Sequence, residues 1–74
     1  MVDREKAQTA VARILLENIR RDTHPSTTQM SMLEQVIPPA LLGEYLTILL
    51  KTVSDDRSPS IPMLRRIQRV SSQL

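Results

Sequence analysis

Apolar residues recur along this chain at three- and four-residue steps, the period of an amphipathic helix rather than the two-residue alternation of a strand. Ala7, Val11, Ile14, Leu15 and Ile19 form the first set, and their spacing predicts a helix with these residues on its core side. Met30, Leu33 and Val36 form the second, and Met63, Leu64, Ile67 and Val70 the last. Between them, Leu42, Tyr45, Leu46, Leu49 and Val53 share one face of a helix over about residues 39–54, with Leu41 and Ile48 beside it. That gives an apolar arc of roughly 200°, against the ~100° of an ordinary surface helix. An arc so wide suits either a central helix or one that partly faces another chain.

The polar residues between these sets punctuate them. Ser26 stands where a helix N-cap belongs, and Gln29 three residues on predicts a capping box, with Pro25 holding the entering chain extended. Ser60 is placed the same way before the last set, and Pro62 is tolerated in a first turn whose amides have no intrahelical acceptor. "IPPAL" stops the second helix and starts the third, since Pro38 cannot continue a helix and Pro39 fits a first turn.

The two halves repeat one another. At an offset of 34 residues Ile14, Leu15, Leu16 and Ile19 fall on Ile48, Leu49, Leu50 and Val53, and Asp22, Pro25 and Ser26 fall on Asp56, Pro59 and Ser60. Met30, Leu33 and Val36 then match Leu64, Ile67 and Val70. Shared leucines are common, but Asp, Pro and Ser at equal spacing point to internal duplication. The expected fold is all-α, a small four-helix domain over residues 1–74 built from two pseudo-repeated helical hairpins, about 4–36 and 39–72. The period equals that of tetratricopeptide repeats, yet their Trp, Gly and Tyr landmarks are absent, and two units fall below the roughly three needed for a stable stack.

Composition narrows the function classes. The 74 residues include no Cys, one His and one Gly, which argues against disulfide staples, thiolate metal sites and glycine-rich phosphate loops. Tyr45 is the one aromatic residue, so the core must be aliphatic. No apolar run approaches the roughly 18–20 residues of a membrane span, and the charged start lacks an apolar signal region. A cytoplasmic protein without membrane contact is the expectation.

Two places could carry chemistry. "DTHPS" holds Asp22, His24 and Ser26, but residues two apart in one loop do not converge as a catalytic triad must, and the second copy has Ser58 where the first has His24. One His with one carboxylate also falls short of a metal site. Asp55 and Asp56 close a helix and open a loop, where carboxylates bond nearby amides. Asp22 and Asp56 therefore read as loop-shaping residues, and no enzyme activity, metal or cofactor is expected.

Where the copies differ, function can have been added. Arg65, Arg66 and Arg69 lie on one side of the last helix, opposite Met63, Leu64, Ile67 and Val70, whereas their first-copy equivalents Ser31, Met32 and Gln35 are uncharged. From Arg57 onward there are four basic and no acidic residues, while residues 1–37 balance five against five. The reading is a protein-interaction module, an adaptor or regulatory subunit that self-associates as a homodimer and binds an acidic protein partner. Arg65, Arg66 and Arg69 would supply charge, and Met32, Leu41 and Ile48 apolar contact. The alternative is a nucleic-acid-binding regulator using the basic C-terminal helix on phosphates.

Overall fold

The computed structural model describes residues 3–22, 24–55 and 60–74. Four helices account for most of them: α1 (Arg4–Arg21), α2 (Thr27–Val36), α3 (Pro39–Ser54) and α4 (Ile61–Ser71). There is no strand among the described residues. The chain divides into two compact units, Met1–Pro38 and Pro39–Leu74. Each unit is a helical hairpin, α1 packing on α2 and α3 on α4.

In the first unit, α1 starts at Asp3, whose carboxylate accepts from the Lys6 amide at 2.7 Å. Its last turn carries Arg20 and Arg21, favourable at the negative end of the helix dipole. Glu17 pairs with Arg21 at 3.2 Å, one turn back. The helix ends as Asp22 turns extended, its amide donating to the Ile19 carbonyl at 3.3 Å. The Asp22 Oδ1 then accepts from the His24 amide at 3.1 Å. This is the loop-shaping role its position suggested; Asp56 lies outside the described residues. Ser26 caps α2, its Oγ accepting from the Gln29 amide at 3.3 Å. At the far end Ile37 is extended, the conformation a following proline favours, and Pro39 opens α3.

The core of this hairpin differs from the expected one. Ala12, Leu15, Leu16 and Ile19 of α1 are buried, as are Met30 and Leu33 of α2. Ala7, Val11 and Ile14 are exposed, the last two by 43% and 62%. Helix length accounts for Ala7, and the direction in which they face for Val11 and Ile14. At 1.5 Å per residue the ten residues of α2 run back only ~15 Å along the 18 of α1. They reach about as far as Ala12, which leaves the first two turns of α1 uncovered. Val11 and Ile14 belong to a second apolar strip, turned away from the one that α2 meets.

In the second unit α3 buries Leu41, Leu42, Tyr45, Leu46 and Leu49, with Ile48 and Val53 half-buried and Leu50 exposed. Most of the wide apolar arc is thus buried or half-buried. Ser60 caps α4 as Ser26 caps α2, its Oγ accepting from the Met63 amide at 3.2 Å. α4 meets the core along Val70, with Met63, Arg66 and Ile67 half-buried. The two hairpins therefore share their caps but not their packing. Met30 is buried and its counterpart Leu64 is not, so α4 is turned about its axis relative to α2 in the repeat.

Candidate contact surface

α4 carries the outward feature that the first copy lacks. With Met63, Ile67 and Val70 toward the core at i, i+4 and i+7, Leu64 is turned about 100° away from Met63. Leu64 is 42% exposed and Ile61 59%. Arg65 and Arg69 are also exposed. At 100° per residue Ile61, Arg65 and Arg69 follow one another along a single i, i+4, i+8 row, and Leu64 and Gln68 form the next. The outer face of α4 is thus apolar in its first turn and cationic in its second and third.

The six residues expected to form the contact surface separate on this basis. Arg65 and Arg69 stand outward, while Arg66 is half-buried at the edge of the core. Met32 is exposed on α2, in the other unit. Ile48 is half-buried, and Leu41 is a core residue with no outward surface to offer. Leu41 is displaced from that role because α3 turns it toward the side of Leu42, Tyr45 and Leu49. Sequence reasoning did not single out the exposure of Ile61 and Leu64: Ile61 follows directly on the cap, and Leu64 fits the apolar repeat as well as Met63 does. The signal that could have found them is the narrower 63, 67, 70 seam.

In the "DTHPS" stretch the side chains of Asp22 and Ser26 act on backbone. Asp22 accepts from the His24 amide and Ser26 from the Gln29 amide. Beside them Asn18, Arg21, Asp22 and Gln29 line a shallow open groove of about 360 Å³. The Gln29 Oε1 is sealed from solvent and has no hydrogen-bond partner. The capping box is therefore only half made: the Ser26 hydroxyl bonds the Gln29 amide, but the Gln29 carbonyl oxygen is spent on nothing.

Among the described residues no three His, Asp or Glu side chains are grouped to hold a metal ion. No described helix is long and apolar enough to cross a membrane. Compared with protein-family models, curated proteins and solved structures, the chain matches none.

Proposed function

We propose that this chain is a protein-interaction module that works by contact, with the outer face of α4 as its binding surface. The observation that carries this reading is the exposure of Ile61 and Leu64 beside Arg65 and Arg69 on one helix. An apolar patch with a cationic flank suits a protein interface, where a buried apolar centre contributes affinity and charge at the rim sets orientation and on-rate. Arginine suits such a rim because its planar fork pairs with carboxylates through two hydrogen bonds. Self-association and a cytoplasmic setting belong to the same reading. Sedimentation equilibrium tests the first, and a monomer mass throughout the concentration range would remove it.

Nucleic acid is the competing ligand, favoured by the lack of any acidic residue after Asp56. An affinity pull-down of the tagged protein from its host extract, with and without nuclease, separates the two. A specific protein retained after nuclease, and lost with the pair Arg65→Glu and Arg69→Glu, is the expected result. Enrichment that disappears with nuclease transfers the site to nucleic acid. Retention unaffected by the charge reversal removes α4 as the surface.

A further inference from the structure

The geometry points to an acidic amphipathic helix as the occupant of the outer face of α4. We infer that it places apolar side chains against Ile61 and Leu64, and carboxylates four residues apart against Arg65 and Arg69. This inference rests on the contact reading above and adds the chemistry of the partner.

Spacing supports a helix. Successive members of the row Ile61, Arg65, Arg69 are about 6 Å apart along the axis, four residues at 1.5 Å each. A helix laid alongside α4 presents its own i and i+4 side chains at the same step, so two carboxylates one turn apart face the two guanidinium groups in register. Apolar residues one turn further on fall opposite Ile61 and Leu64, which are i and i+3 and so share a face. The match needs no loop and no deformation of α4.

Charge selects the sign of the partner. From Ser60 to Leu74 the chain has three arginines and no acidic residue. A second copy of α4 offers this face no side-chain carboxylate in any register, since residues 60–74 contain none, so the same helix from another chain does not complement the cationic half. Phosphates would also attract the arginines, but a nucleic-acid backbone offers nothing apolar to cover Ile61 and Leu64. α4 also has no aromatic side chain on which a base could stack. A carboxylate-bearing helix with an apolar stripe satisfies both halves of the surface.

The test is selection of displayed random 16-residue peptides on the intact protein, in parallel with its Arg65→Glu/Arg69→Glu and Ile61→Ser/Leu64→Ser variants. All four positions are exposed, so folding is checked simply by unchanged helical circular dichroism. The expected outcome is enrichment of Asp or Glu at i and i+4 with Leu, Ile or Phe at helical spacing beside them. The best synthetic peptide should then weaken at least about tenfold on each double variant. Replacing its Glu residues by Gln should weaken it likewise. Enriched peptides without acidic pairs overturn the inference but leave the contact reading standing. Tighter binding of a 20-nucleotide single-stranded or duplex DNA probe than of any selected peptide overturns both, as does a selection that yields no consensus while the host-extract capture is nuclease-sensitive.

Discussion

Replacing Gln29 by Met removes the buried oxygen that the half-made capping box leaves without a partner, while the cap itself survives. Ser26 Oγ accepts from the backbone amide of residue 29, not from its side chain, so the bond that starts α2 is indifferent to the substitution. Gln and Met have nearly equal helix propensity, and their side chains are of similar length. What changes is the side-chain amide, whose carbonyl oxygen is desolvated without a partner. A buried polar group without a partner costs about 1–3 kcal/mol, and Gln29→Met should recover about that amount. The second copy already carries this solution: Met63 stands 34 residues on, at the same step after its cap Ser60. In a domain this small, 1 kcal/mol moves the melting temperature by about 4–8 °C, so thermal unfolding followed by circular dichroism resolves the effect. Amide hydrogen exchange should place the added protection in α1 and α2. Ser26→Ala is the control, since losing the cap lowers stability by about 1 kcal/mol. An unchanged or lower melting temperature for Gln29→Met, with Ser26→Ala destabilising as expected, would refute the account of Gln29 as an unpaid polar burial.

The remaining predictions concern the second unit. Gly43 lies inside α3, and a Cβ added there would meet nothing within 4 Å. Gly43→Ala should therefore stabilise by about 1 kcal/mol through helix propensity alone, seen as a higher midpoint in urea; a lower midpoint would mean that the site is more crowded than the structure has it. Leu41 and Ile61 should separate cleanly. Leu41→Ala opens the core and should cost about 2–5 kcal/mol, whereas Ile61→Ala on the exposed strip should stay within about 0.5 kcal/mol. Equal losses in denaturant melts would contradict the burial that distinguishes them.

How much of this could be read beforehand depends on the range of the interactions involved. The α-helical class, the hairpin pairing and the helix starts were legible because caps and breakers act over three or four residues. Ser26 and Ser60 each bond an amide three positions on, and the prolines block continuation through their own rings. The Asp22 turn, closed two residues away, was legible for the same reason. The exposure of the proposed contact residues was legible only in part. Arg65 and Arg69 are exposed, but the exposed apolar side chains beside them on α4 are Ile61 and Leu64, whereas Leu41 is buried and Ile48 half-buried.

The sequence by itself determined four helices and where they start and stop, since these follow from bonds a residue makes with its near neighbours along the chain, and it shows the 34-residue pattern that relates the halves. Only the tertiary structure decided which apolar strip of each helix is core. α1 has two such strips, and α4 can turn either Met63 or Leu64 inward; a helical period of 3.6 residues is satisfied by both choices. The choice falls to the partner helix, whose length and rotation set where it reaches and which side chains it excludes from water.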